Sequence, residues 1–487
     1  MSKEAVIHPV SKDYTENIEF LKKELAVDAS FDLIYLELEH GERDMALFMV
    51  DGFAKDVALT QIQRELSRLT ASELEERPLD KLMKNQIPYV ELSTSTDLDE
   101  VIDQVLSGPA ALVVEGLEQI ILLDTREYPV RGPEEPDTEQ VIRGSKDGFV
   151  ETLVMNTALI RRRVRDRTMR VEYVSVGRRS KSDLALSYIA DIADQEYVKK
   201  IKKALEKIDT DGLPMADKTV EEYVFGHHYN PYPMVRYTER PDVAATHLFE
   251  GHILILVDGS PSVMIAPTTF WHHLQHAEEY RQKPVVGASL RLVRFVAVWV
   301  SLFLLPLWYF LASNEQFVPE VLSFIGAEKE GSIPLFVQFL AAEIGIEMLR
   351  MAAIHTPNAL ATALGLVSAL LIGEVAINVG LFSPEVVLYL AVAVVGTFAT
   401  PSYEMSLANR LIRVALLILV AIFGLGGLVI GTTVWFLMLV HLHVLNTPYM
   451  WPFLPFNSRA FRDVILRAPM PLKNRRPALI HPNDPDR

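Results

Sequence analysis

Residues 291–312 read RLVRFVAVWVSLFLLPLWYFLA, 22 residues whose charges are Arg291 and Arg294, both at the start. A hydrocarbon core of ~30 Å needs about 20 apolar residues in a helix, so this stretch is expected to span a membrane. Arg281, Lys283, Arg291 and Arg294 on its N-terminal side place that end in the cytoplasm. The chain changes character here. Residues 1–285 carry 34 basic and 51 acidic side chains, whereas residues 286–487 carry 13 and 12. The formal charge of −16 thus belongs to a soluble acidic half, joined to a nearly neutral, apolar one. A basic nucleic-acid binder does not fit that balance. With no cysteine among 487 residues, a disulfide frame, a thiolate metal site and a cysteine nucleophile are excluded. The first 20 residues lack a signal-peptide core, so the soluble half is expected to be cytoplasmic.

Further apolar segments run over about 333–349, 360–381, 385–399 and 411–445. The last is too long for one untilted helix, and two helices meeting near Gly424–Gly431 explain it more simply. The basic tail (Arg459, Arg462, Arg467, Lys473, Arg475, Arg476) calls for an even number of crossings, which gives four to six helical segments. Gly427 and Gly431 stand in small-xxx-small spacing, which predicts close helix packing.

Ionisable groups inside such segments cost a few kcal/mol unless they face water or a partner. Glu343, Glu347 and Arg350 follow i, i+4, i+7 spacing and share one helix face. Glu374 and Asn378 form a second i,i+4 pair. Two readings stand side by side. In one, Glu347 pairs with Arg350 and the others bond inside a bundle. In the other, the acidic face repeats around an oligomer and lines a cation pathway. A proton relay is a third, weaker reading.

In the soluble half, strand-length apolar runs alternate with helical stretches, which gives an α/β fold. Asp44-Met-Ala-Leu through Leu66 matches Asp183-Leu-Ala-Leu through Leu205. Ala111-Leu-Val-Val-Glu-Gly matches Leu254-Ile-Leu-Val-Asp-Gly, each leading into a second strand. Offsets of 139 and about 142–143 predict one subdomain used twice. The expected layout is an N-terminal tail (1–29), α/β subdomains over 30–145 and 146–285, an all-α polytopic membrane domain over 286–452 and a basic cytoplasmic tail over 453–487. The connector from Arg143 to Lys181 has 11 basic and 4 acidic residues. Intersubunit ion pairing or a membrane-surface contact suits it better than an anion or RNA site. His272, His273 and His276 are expected on a helix, with His272 and His276 at i,i+4. That spacing can bind zinc, but a third ligand and a catalytic Glu are lacking, so surface histidines on a polar face are expected, with no metal. No nucleotide, elbow or metalloprotease motif is present, so no catalytic residue, enzyme activity or cofactor is expected.

Three phrases carry a resemblance. EPDTEQVIRGSKDGFVETLVMNTALIRRRVR (135–165), TERPDVAATHLFEGHILILVDGSPSVMIAP (238–267) and AEIGIEMLR…ALLIGEVAINVGLFS…PSYEMSLANRLIR (342–413) together resemble the GerA family of bacterial spore germination proteins. The likeness extends over roughly Phe31 to Pro469. AAIHTPNALATALG and SPEVVLYLAVAVVGTFATPSYE look closer to the family's stage V sporulation branch than to its nutrient-sensing A subunits. The resemblance implies a multi-pass protein of the spore inner membrane whose subunits assemble, as pentamers, into a channel for monovalent cations. It also implies contacts with membrane lipid, with other germination proteins and with a small membrane partner subunit.

The family's acidic membrane motif falls on Glu343, Glu347 and Arg350. Glu374 replaces a common Gln, and Ser145-Lys146 replace a Pro-Arg pair. In the connector, Arg143, Gly144, Gly148 and Phe149 remain as assembly candidates, with Arg161 and Arg162 beyond them. A non-conducting scaffold that clusters other germination proteins is the competing function. A secondary transporter using Glu374 and Asn378 is weaker, because no inverted membrane repeat is evident.

Overall fold

The computed structural model describes residues 8–54, 56–75, 78–83, 91–126, 139–226, 229–318, 333–355, 374–466, 469, 471, 475–476, 482–484 and 486. They fall into two units by internal contact. The first takes in Met1–His227, Val235–Thr268 and Pro469–Arg487. It begins with helix α1 (Tyr14–Leu25), capped by Asp13, which accepts from Thr15 N and Glu16 N. Then come β1 (Leu33–His40), β2 (Arg43–Val50), α2 (Asp56–Leu66), β3 (Glu91–Ser95), α3 (Leu98–Ser107), β4 (Ala110–Val114) and β5 (Ile120–Asp124). The strands are antiparallel in the order β1-β2-β4-β5-β3.

Strand β2 shows why the sheet is covered on both faces. From Met45 to Val50 every residue is buried, because successive side chains point to opposite sides. Ala46, Phe48 and Val50 pack with Ile18, Leu21 and Leu25 of α1 and Val101, Ile102 and Val105 of α3. Met45, Leu47 and Met49 pack with Ile62 and Leu66 of α2. The stretch expected as an N-terminal tail therefore contains a core helix.

A second set of elements follows: α4 (Leu153–Arg161), β6 (Met169–Val176), β7 (Ser182–Ile189), α5 (Gln195–Glu206), α6 (Ala216–Phe225), β8 (Arg236–Thr238), α7 (Pro241–Glu250), β9 (Ile253–Val257) and β10 (Val263–Ala266). The strand order is β6-β7-β9-β10-β8, the same path as the first sheet. Register agrees as well: Met45 faces Val114 and Leu184 faces Val257. A hydrogen-bond motif recurs too. Buried Asn17 donates to Ser11 O at 2.7 Å and accepts from Ser11 N at 2.9 Å. Asn156 makes the same bracket around Val150, at 2.5 and 2.8 Å. The two sets are joined by a buried ion pair, Arg161 Nε to Asp32 Oδ2 at 2.8 Å and Nη2 to Oδ1 at 3.1 Å. Two further bonds flank it: Phe31 N donates to Val171 O, and Val171 N donates to the Ser30 hydroxyl oxygen. Part of the basic tail returns to this unit, where Asn483 donates to the carbonyls of Ile192 and Ala193.

The second unit takes in His228–Met234 and Thr269–Ala468. Its long helices are α8 (Pro284–Ala312), α9 (Leu335–His355), α10 (Pro384–Phe398), α11 (Tyr403–Phe423) and α12 (Leu425–His441). Leu305 and Trp308 of α8, Phe339 and Ala342 of α9, Val386 and Leu390 of α10 and Leu417 of α11 share one core. Among the described residues, α8 and α11 are long and apolar enough to cross a membrane, while α10 and α12 are shorter. Gly424, at φ +56°, divides the long apolar run into α11 and α12. The segment expected over 360–381 lies mostly outside the described residues. The unit is not purely helical, since His443–Val444 and Thr447–Pro448 pair antiparallel. A short helix, α13 (Ser458–Ile465), follows.

Candidate functional site

The charges of α9 meet those of α11. Arg413 holds Glu343 in a fork, Nε to Oε1 at 2.7 Å and Nη2 to Oε2 at 3.0 Å. Both side chains are buried, at 1% and 4% exposure. The third nitrogen of Arg413 donates to Ser301 O on α8 at 2.6 Å and Thr397 Oγ1 on α10 at 3.3 Å. One guanidinium thus ties four helices together. Arg fits here because its planar donors match a carboxylate and two further acceptors at once.

One turn along, Glu347 accepts from Arg350 at 2.5 and 3.0 Å and also pairs with Arg410. Arg350 donates to the Tyr403 hydroxyl and lies over that ring, 5.5 Å from its centre. The cluster holds two carboxylates and three guanidinia. The side chain of Glu347 keeps 27% exposure, so this end of the network is the accessible one. Glu374 and Asn378 are exposed and make no part of this network in the structure.

Sequence spacing placed Glu343, Glu347 and Arg350 on one face, but it missed Arg410 and Arg413. Their signal was present: two arginines three apart, ahead of an apolar run that has no other charge up to its end at Phe423. Beside α11, Tyr232 donates to Asn409 Oδ1 at 2.9 Å and accepts from Trp435 Nε1 at 2.7 Å, all buried. Close packing of α11 and α12 involves both glycines of the small-residue pair. A Cβ on Gly427 would overlap the Leu419 carbonyl, and one on Gly431 would lie 2.6 Å from Leu416 Cδ2.

In the connector, Arg143 is exposed beside Gly144, whose φ is +119°. Gly148 and Phe149 are buried, and Phe149 N donates to Glu239 O at 2.8 Å. Arg163 bonds Ser145 Oγ at 2.8 Å and pairs with Asp147. Burial alone would raise the Asp147 carboxyl, but hydrogen bonds from Ser145 and Arg163 hold it below the usual range. Arg161 acts within the subunit, on Asp32. Arg162 is half-buried. The histidines correct an expectation. Phe270–Leu274 is a 3₁₀ turn, so the i,i+4 face does not form, and His272 and His273 are buried at 8% and 2% exposure. His272 Nδ1 accepts from Thr269 N and pairs with Thr269 Oγ1, a capping role. Among the described residues no group of three metal-ligating side chains occurs.

The family model for the Bacillus/Clostridium GerA spore germination protein matches residues 19–479. The chain belongs to the GerA family. Stage V sporulation protein AF of Bacillus subtilis (strain 168) is 48% identical to it over 98% of this chain and 96% of that protein. Spore germination protein KA of the same strain is 30% identical, over 98% and 88%. The higher identity to the stage V protein agrees with the branch read from the two membrane phrases. The N-terminal domain of the A subunit of the Bacillus megaterium spore germinant receptor GerK3 aligns with TM-score 0.43 and 25% identity, over 55% of this chain and 99% of that one. This GerA chain is accordingly a spore germination or sporulation protein, and its charged cluster lies inside the matched region.

Proposed function

We propose that the chain is a multi-pass subunit of the spore inner membrane that joins copies of itself in a pentameric ring and passes monovalent cations during germination. The observation that carries this is the charged cluster set among apolar helices, because charge at such depth is costly and is retained for a task. Within it, Glu343 is fully engaged by Arg413 and acts as the strut that fixes α9 against α11. Glu347, partly exposed, is the carboxylate left to meet an ion, with Glu374 and Asn378 as further lining candidates. The soluble half and the C-terminal tail lie in the cytoplasm, where a small membrane subunit or other germination proteins gate the ring.

The test is cation flux through purified protein in liposomes, wild type beside Glu347→Gln. Flux that falls in the variant, with the oligomer intact, supports the pathway; unchanged flux and selectivity would sink it. A second reading is a non-conducting scaffold that clusters germination proteins. Its support is that both Glu343 and Glu347 already have arginine partners within one chain. Well-folded wild-type oligomers that pass no ions would favour it.

A further inference from the structure

The basic end of α8 is built around a second buried carboxylate. Glu279 is fully enclosed, receives Arg291 Nε on Oε2 at 2.7 Å and pairs with Arg294 on Oε1. Two of the cations that sequence alone assigns to a membrane-surface bias therefore share one carboxylate, which offsets one of their two charges. Arg291 also donates to the carbonyl of Val464 on α13 at 2.9 Å. An aromatic chain makes the same link. Phe295 of α8 lies 5.9 Å from Trp271, Trp271 stacks on Phe453 at 4.1 Å, and Phe453 lies 4.6 Å from Phe461 of α13. Helix α13 and the turn before it are thus fixed beside the first arginines of α8, where a spanning helix leaves the hydrocarbon.

The outward side of this segment has two characters. Leu454, Phe456 and Leu466 are exposed by 41%, 67% and 53%. Arg459 and Arg462, one turn apart on α13, are exposed beside them. Apolar side chains next to cations at this depth match the boundary between acyl chains and anionic headgroups. We propose that Leu454–Leu466 is a wedge for anionic lipid, with Leu454, Phe456 and Leu466 in the acyl region and Arg459 and Arg462 on the lipid phosphate. This rests on the membrane placement of α8 and is independent of ion conduction.

The full-length chain, purified in detergent, is titrated with phosphatidylglycerol or phosphatidylcholine, and retained lipid is counted by native mass spectrometry. Phosphatidylglycerol is expected to bind the more tightly. A basic side chain near an anionic lipid surface is worth about fivefold, so Arg459→Gln with Arg462→Gln lowers that affinity by about 25-fold. Phosphatidylcholine retention is unchanged in that variant. Arg459→Lys with Arg462→Lys keeps most of the preference, and Phe456→Ser weakens both lipids. A wild type without preference, or a double Gln variant that keeps it, overturns the proposal. So does equal binding of glycerol phosphate, which would indicate a site for soluble phosphate. A double Gln variant that changes oligomeric mass but not lipid retention assigns the face to a second copy and also overturns it.

Discussion

Arg413 and Glu343 show how a charge pair buried among apolar helices is kept. The fork geometry alone would leave one guanidinium nitrogen unmatched, and Ser301 O and Thr397 Oγ1 supply its acceptors. Buried pairs are weak evidence for net stability, since desolvation of both ions offsets most of their attraction. Removing one partner is another matter. Arg413→Ala leaves the Glu343 carboxylate without its ion partner in a buried site and is expected to cost about 3–5 kcal/mol. Replacing both residues with leucine is expected to recover most of that loss. Thermal unfolding of the purified chain in detergent reads both variants, and equal destabilisation by the single and double changes would contradict this account. The Glu347–Arg350 pair was legible in the sequence, because its members lie three residues apart on one helix. The pairing with Arg410 and Arg413 was not: those partners lie 63 and 70 residues from Glu347 and Glu343 and are found by packing. His272 and His273 failed for the opposite reason: spacing presupposed an α-helix, and the chain takes a 3₁₀ turn instead.

At the scale of elements, the internal duplication was legible along β2 and α2 and along β4 and β5, and was missed at α1 and α4. Offsets in β2 and β4 were readable because a doubly covered strand must be apolar throughout, which leaves few residue types to choose from. Helices α1 and α4 share little beyond Asn17 and Asn156: α1 keeps an exposed polar face, whereas α4 is buried or half-buried along its whole length. Those two asparagines carry the repeat further than the hydrophobic pattern does. Each satisfies both polar groups of one half-buried backbone residue, so truncation leaves a partly enclosed N–H and C=O unpaired. Asn17→Ala and Asn156→Ala are each expected to cost roughly 1–3 kcal/mol and to do so to a similar degree. A loss seen at one position only, in the unfolding transition of the full chain, would show that the brackets are not equivalent.

For the whole molecule, the split of charge at residue 285 separated an acidic α/β half from an apolar helical half, and both are present. The division by contact falls earlier, at Thr268–Thr269, because the Phe270–Leu274 turn packs with residues of the second unit such as Tyr449. Hydropathy marks where a helix becomes apolar; packing decides to which body its approach belongs. The first unit also carries a latent pH dependence. His247 on α7 is fully enclosed, with Nδ1 bonded to Val243 O at 2.9 Å and the His252 ring 4.9 Å away. Burial, with the nearby His252 and Arg236 adding to it, pushes its pKa from 6.5 to about 3. Between those values the unfolded chain takes up a proton that the folded chain refuses. Stability contributed by a neutral His247 is therefore whole above pH 6.5 and falls as pH drops toward 3, at up to about 1.4 kcal/mol per unit. His247→Asn removes the titrating group, so the variant, less stable at neutral pH, should lose less on acidification than the wild type. Denaturant midpoints of both chains at pH 7 and pH 5 give the comparison. Parallel losses in the two would assign the acid sensitivity to carboxylates and leave His247 without a part in it.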